Sequence, residues 1–167
     1  VLANDSDVDI GDVLSLAAVF SPLHGVTAIS GTSVVYTPTL DYYGADYFSY
    51  TVQDSGGLTD TGQVTVTVLP VNDRPDARDD AAGTDQYTAL AIDVLANDGD
   101  VDGDDLSIAA IGPVEYGSVI HDGQVLTYTP AAPLVTDVFT YTASDGTLTD
   151  TATVTVTVSV VNHPPVA

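Results

Sequence analysis

The chain contains itself twice, and this duplication constrains its fold more than any local pattern does. Val1-Leu-Ala-Asn-Asp-Ser-Asp-Val-Asp9 returns as Val94-Leu-Ala-Asn-Asp-Gly-Asp-Val-Asp102, 93 residues further on. The correspondence continues with Tyr36-Thr-Pro38 and Tyr128-Thr-Pro130 at 92, Phe48-Ser-Tyr-Thr51 and Phe139-Thr-Tyr-Thr142 at 91, and Val71-Asn72 and Val161-Asn162 at 90. Three single-residue deletions account for the drift, and all four Asn residues, Asn4, Asn72, Asn97 and Asn162, fall on two equivalent positions. Whatever a unit of about 90 residues folds into must therefore be built twice. The pattern divides the chain into residues 1–75 and 76–167. The second copy is complete, whereas the first has no counterpart of residues 77–93 and opens inside its own repeat.

Apolar residues recur at every second position. Thr153-Val-Thr-Val-Thr-Val-Ser-Val160 and Val64-Thr-Val-Thr-Val68 alternate strictly, which sets valines on one face of a strand and hydroxyls on the other. Shorter apolar runs bounded by Gly, Pro or Asp predict strands over 89–95, 106–111, 117–121, 125–129 and 138–143. No segment carries a helical period. Glu115 is the lone glutamate among 24 acidic residues, and Asp favours turns and caps over helix interiors. About seven short strands per repeat is the arithmetic of an immunoglobulin-like sandwich. The expectation is an all-β protein of two tandem β-sandwiches, the first lacking its N-terminal strands and so leaving part of its valine face and one sheet edge uncovered.

The net charge is −22, yet 44% of residues are hydrophobic, so the acidity belongs to the surface of a folded chain and not to a disordered tail. Such a field repels phosphate backbones and anionic lipid surfaces; nucleic acid and membrane insertion are excluded as expectations, and divalent cations are favoured. Cys and Lys are both absent, which excludes disulfides, thiol nucleophiles, zinc thiolate sites and Schiff-base chemistry.

The densest acid cluster is Asp98-Gly-Asp-Val-Asp-Gly-Asp-Asp105. Closely spaced carboxylates at Asp98, Asp100, Asp102 and Asp104 suit calcium, which takes six to eight oxygens. The run opens like an EF-hand loop, but its twelfth position is Ala109 instead of a bidentate Glu, and a strand pattern follows. An ion there needs oxygens from elsewhere; the other reading is a solvated acidic turn. Asp5-Ser-Asp-Val-Asp-Ile-Gly-Asp12 repeats the arrangement in the first copy with one inserted residue, offering Asp5, Asp7, Asp9 and Asp12, and is expected to be the emptier of the two.

These loops, together with Tyr128-Thr-Pro130, Phe139-Thr-Tyr-Thr-Ala-Ser-Asp-Gly146, the Thr/Val strand and Val71-Asn-Asp-Arg-Pro75, resemble the bacterial cadherin-like and immunoglobulin-like tandem repeats of large secreted adhesins of the repeats-in-toxin type. The resemblance covers nearly the whole chain. It implies calcium held between an Asp-Gly turn (Asp54, Asp145), a linker (Asn72, Asp73) and an Asp-x-Asp loop (Asp100, Asp102), with Asp46 or Asp41 of the first repeat reaching across the junction. Pro70 and Arg74 depart from the cadherin linker, and His163 replaces the linker Asp in the second copy. The function implied is a calcium-stiffened extender segment of a surface adhesin or biofilm protein, secreted or held at the cell surface. Its partners are neighbouring repeats of the same chain, with a cell-surface protein or glycan bound elsewhere, and no catalysis is implied.

Four further features leave alternatives open. Arg74 and Arg78, the two basic side chains, either pair with junction carboxylates or are solvated, Arg74 being favoured by its place in the linker. Tyr42, Tyr43 and Tyr47 are read as packing residues, with Tyr43 at a core position; exposed, they would form a sugar-stacking platform, which suits a carbohydrate-binding or spacer module of a polysaccharide-degrading enzyme. Tyr50 and Tyr141 are placed as tyrosine corners. His24, His121 and His163 occupy non-equivalent positions, and a Ser-His-Asp hydrolase has no paired constellation behind it.

Overall fold

The computed structural model describes residues 1–133 and 135–161. The chain forms two compact units, Val1–Val71 and Asn72–Ala167. Residues 72–75, grouped with the first repeat by the sequence pattern, belong to the second unit because their polar groups bond to its loops, as set out below.

In the first unit a short 3-10 turn, Leu2–Asn4, precedes strands β1 (Ser15–Val19), β2 (Gly25–Ser30), β3 (Ser33–Pro38), β4 (Gly44–Gln53) and β5 (Thr59–Val68). They form an antiparallel sheet ordered β1-β4-β5 and a separate β2-β3 hairpin. The second unit holds β6 (Asp80–Asp85), β7 (Leu90–Ile92), β8 (Ser107–Ile111), β9 (Gly117–His121), β10 (Leu126–Pro130), β11 (Thr136–Ser144) and β12 (Thr149–Ser159). Its sheets run β6-β12-β11-β8 and β7-β10-β9. Each strand of the first unit has its counterpart among β8 to β12, so the second unit's additions are β6, parallel to β12, and β7, antiparallel to β10. The tandem all-β architecture matches the sequence expectation. The strand over 80–85 has no signature in the sequence: Asp-Ala-Ala-Gly-Thr-Asp has no aromatic residue and no β-branched one but Thr84, and pairing with β12 makes it extended.

Missing those two strands, the first unit buries far less. Val154, Val156 and Val158 on β12 are 0%, 0% and 2% exposed, inside a core that includes Leu126, Tyr128, Phe139 and Tyr141. Their counterparts Val64, Val66 and Val68 are only half-buried, and the buried apolar side chains of the first unit are Phe48 and Tyr50, each 4% exposed. No helix among the described residues is long and apolar enough to cross a membrane.

Candidate metal centre

The loop between β7 and β8 is folded by its own carboxylates. Asp100 Oδ1 accepts the Asp102 N–H at 2.8 Å, turning the chain, and Gly103 N–H donates to the Asp100 carbonyl at 3.3 Å. Gly103 has φ +80, a left-handed value that side chains rarely adopt, and Gly11 (φ +102) takes the same place in the first copy. The turn brings carboxylate oxygens of Asp100, Asp102 and Asp104 within 4.8 Å of one another. Asp100 Oδ2 is buried with no hydrogen-bond partner among the described residues. Burial, then the charges of Asp100, Asp102, Asp145 and Asp105, push the Asp104 carboxyl above its usual value. Converging, partly desolvated oxygens of like charge are what a hard divalent cation stabilises, and the donor set fits calcium.

The linker is tied to this loop. Asp73 N–H donates to Asp102 Oδ2 at 2.7 Å, and the Asn72 amide donates to Asp145 Oδ2 at 2.8 Å and to the Asp73 carbonyl at 3.0 Å. Asp145 Oδ1 meanwhile accepts Thr147 and Leu148 N–H, both at 2.6 Å. The Leu148 N–H, the Asn72 amide and the Thr147 N–H hold the Asp145 carboxyl below its ordinary range. Five of the residues expected at the metal, Asp100, Asp102, Asp104, Asp145 and Asn72, therefore form one network with the Asp73 backbone.

Asp98 plays a different part. Its carboxylate lies 2.8 Å from the Tyr141 hydroxyl through either oxygen and accepts the Arg78 N–H at 2.8 Å, fastening the root of the loop to the core. The Tyr141 hydroxyl also lies 3.0 Å from the Val94 carbonyl and 3.1 Å from that of Arg78. It thus anchors a distant acidic loop, which corrects the tyrosine-corner expectation, where the bond closes a nearby turn. Burial, then the charge of Asp98, pushes the Asp80 carboxyl up to about 6, against a lowering hydrogen bond from Tyr141.

The first copy repeats the triad. Asp7, Asp9 and Asp12 bring carboxylate oxygens within 4.8 Å of one another, the inserted residue being absorbed in the turn, and Asp7 Oδ1 accepts the Asp9 N–H at 2.8 Å. Asp5 accepts the Tyr50 hydroxyl at 3.0 Å, as Asp98 accepts that of Tyr141.

Asp46 and Asp41, the remaining expected ligands of the junction, belong to the first unit. Asp46 is 1% exposed, and its carboxylate accepts the N–H groups of Leu23, His24 and Tyr47 and the Tyr36 hydroxyl. Burial would raise this carboxyl, but those bonds together hold it below its ordinary value. With its oxygens engaged inside its own unit, Asp46 is a structural residue. Asp41 sits exposed in the turn before β4 with φ +59. Asp137, the counterpart of Asp46, is buried likewise and accepts the Glu115 and Tyr116 N–H groups and the Tyr128 hydroxyl. Burial and that bond push Tyr128 up to about 12. Sequence reasoning misses this pair, although its signal is there: Asp46 and Asp137 keep the 91-residue offset of Phe48 and Phe139.

The ion pair at the linker is Arg78 with Asp76, at 2.7 Å and exposed, and not the favoured Arg74, which is exposed without an ion pair among the described residues. Tyr50 is in the core, but Tyr43 and Tyr47 are 56% and 61% exposed, against the packing expectation, while Tyr42 stacks on His24 at 4.2 Å. Asn162 and His163 lie outside the described residues.

No curated protein matches the chain. Among solved structures, human mucin-like protocadherin EC1-2 is 20% identical, with a TM-score of 0.52 over 93% of this chain and 87% of that one. The human desmocollin-1 ectodomain is 13% identical over 90% of this chain and 35% of that one, with a TM-score of 0.40. The endo-fucoidan hydrolase MfFcnA4 from glycoside hydrolase family 107 is 17% identical with a TM-score of 0.44; the match covers 90% of this chain and 24% of that one, so the chain spans about a quarter of its length. The likeness to the protocadherin is one of fold. The sequence pattern of the Bacterial Ig domain matches residues 1–67 and 72–157, one stretch in each sandwich unit, and the chain belongs to that family.

Proposed function

We propose that the chain is an extender segment of a secreted or surface-attached bacterial adhesin, in which calcium stiffens a string of sandwiches and projects a binding domain carried elsewhere. The reading rests above all on the shared network of linker and acid cluster: Asp102 takes the Asp73 N–H while contributing to the Asp100/Asp102/Asp104 triad. Asp100, Asp102 and Asp104, with Asp145 beside them, would hold the ion, whose charge offsets carboxylate repulsion and removes the freedom of the chain that follows Val71. Asp7, Asp9 and Asp12 form a second, weaker site in this reading. The partners are neighbouring repeats, with a surface protein or glycan as the adhesion target; the net charge of −22 disfavours nucleic acid and anionic lipid. Calorimetric titration of the full chain with calcium tests the site. Asp100→Ala and Asp102→Ala should each weaken binding about tenfold or more, as expected for losing a charged ligand, and should broaden the interdomain distance distribution in solution scattering. Unchanged affinity in both variants sinks the reading.

The exposed Tyr43 and Tyr47 support a second reading, a carbohydrate-binding or spacer module of a polysaccharide-degrading enzyme. Pull-down on insoluble polysaccharides, with Tyr43→Ala and Tyr47→Ala as controls, tests it; no retention of the parent chain on any glycan excludes it.

A further inference from the structure

The outer face of the β1-β4-β5 sheet carries two large aromatic side chains that the matching face of the second unit lacks. Tyr47 on β4 is 61% exposed. Phe20, just past β1, donates its N–H to the Ser49 carbonyl at 2.9 Å, one step beyond the Val19–Tyr50 pair, and its own carbonyl accepts the Thr27 hydroxyl at 3.2 Å. Tyr50 is buried, so alternation turns Phe20, Ser49 and Tyr47 outward. Opposite Ser49, Phe20 stands diagonal to Tyr47, about 7–8 Å away and within reach of two rings. Of the three Phe residues, Phe48 and Phe139 are in the core at 4% and 2% exposed, whereas Phe20 is 53% exposed.

By repeat position Phe20 answers Gly112, Ser49 answers Thr140 and Tyr47 answers Val138. Gly112 N–H likewise donates to the Thr140 carbonyl, at 2.8 Å, but a Cβ at Gly112 would collide with Thr140 Oγ1. The first unit therefore differs in a matched pair: serine, without the β-methyl that stiffens threonine, leaves room for the side chain of Phe20. The same face is open in the complete second unit, where Val138 is 56% exposed and Thr140 is exposed, so its openness does not depend on β6 and β7. Every second position from Ala45 to Gln53 on β4 and from Thr59 to Thr67 on β5 is Ala, Tyr, Ser, Thr or Gln. In a chain of net charge −22, these outward positions carry no charge. Gln63 lies opposite Ser49 and Thr65 opposite Tyr47, which sets an amide and hydroxyls beside the rings.

We propose that this face of the first unit binds a neutral polysaccharide, with Phe20 and Tyr47 packing against the C–H faces of sugar rings while Gln63, Ser49 and Thr65 hydrogen-bond the hydroxyls around them. The assignment rests on the carbohydrate-binding reading above, and adds its place on the fold and its ligand class. Sulfated and uronic polymers are repelled by the field of the acidic chain, whereas an uncharged glycan meets a strip of strand that carries no acid. Two rings fringed by hydroxyls are too small an apolar core for a stable protein interface, which takes about 800 Å² per partner. The second unit, with Gly112 and Val138 in place of the rings, does not bind.

Retention of the full chain on insoluble cellulose, chitin and mannan, and amide shifts with soluble oligosaccharides of each, test the assignment. At least one probe should retain the chain and shift the amides of Phe20, Tyr47, Ser49, Gln63 and Thr65 while those of Val138 and Thr140 stay. Phe20→Gly and Tyr47→Val copy the residues that the second unit carries at these positions, and each should weaken binding about tenfold. The reverse graft, Gly112→Phe with Val138→Tyr and Thr140→Ser, should make the second unit's own amides respond to the same oligosaccharide. If a probe retains the chain while the β4 and β5 amides stay unmoved, or if Phe20→Gly and Tyr47→Val bind like the parent, the platform is overturned and the carbohydrate-binding reading stands at another place. No retention on any of the three overturns the proposal, and equal binding of a sulfated galactan overturns the neutral ligand class. Broadening of the outer-face signals with protein concentration alone, which would mark a contact between copies, also overturns it.

Discussion

The valine ladders of β5 and β12 have the same sequence, Val-Thr-Val-Thr-Val, and opposite environments, so one substitution made in both measures what a second layer contributes. Val156 is 0% exposed, while its counterpart Val66 is half-buried. Val156→Ala removes two buried methyl equivalents, worth about 1.6 kcal/mol of transfer free energy at about 0.8 kcal/mol each. The space left among tightly packed neighbours adds up to about 1 kcal/mol, for a total loss of about 2.5 kcal/mol. Val66→Ala loses about half the transfer contribution and closes off no cavity, about 0.8 kcal/mol. For a unit of this size about 2.5 kcal/mol corresponds to a fall of about 10–20 °C in midpoint. Urea titration followed by amide signals, β12 reporting the second unit and β5 the first, separates the two. Equal losses in both variants would refute the reasoning, because they would require the valine face of the first unit to be as well covered as that of the second.

Asp137→Ala should destabilise the second unit by about 3 kcal/mol, since it leaves the Glu115 and Tyr116 N–H groups and the Tyr128 hydroxyl without their acceptor; a loss within about 0.5 kcal/mol, the range of an ordinary surface change, would contradict this. Asp80 ionises at about 6 in the folded unit against 3.8 for an unperturbed aspartate, so the folded form binds the extra proton and the stability of the second unit should fall as pH rises from about 4 to about 6. Asp80→Asn should remove that slope and raise the midpoint above pH 6, measured by thermal melts across the range. In chelator the chain should gain stability on adding monovalent salt, and the gain should shrink with calcium present; identical salt responses with and without calcium would speak against a bound ion.

Local pattern and repetition are enough to establish an all-β chain of two sandwich units, the strands from β8 to β12, and the acidic turns that gather Asp100, Asp102 and Asp104. Those features follow from period-2 alternation, from turn chemistry and from self-similarity, all of which act over a few residues or are copied intact. What escapes the sequence depends on partners far away along the chain. Asp80 to Asp85 is extended because β12 lies beside it, not because of its own residues. Asp46 and Asp137 look like surface acids and are buried because loops some twenty residues earlier turn their N–H groups inward. Residues 72–75 read as the end of one repeat, yet their N–H and amide groups find their acceptors on the next. Most of all, two identical valine ladders are half-buried in one unit and sealed in the other: alternation decides which face of a strand is apolar, and only the strands packed and paired around it decide whether water reaches that face.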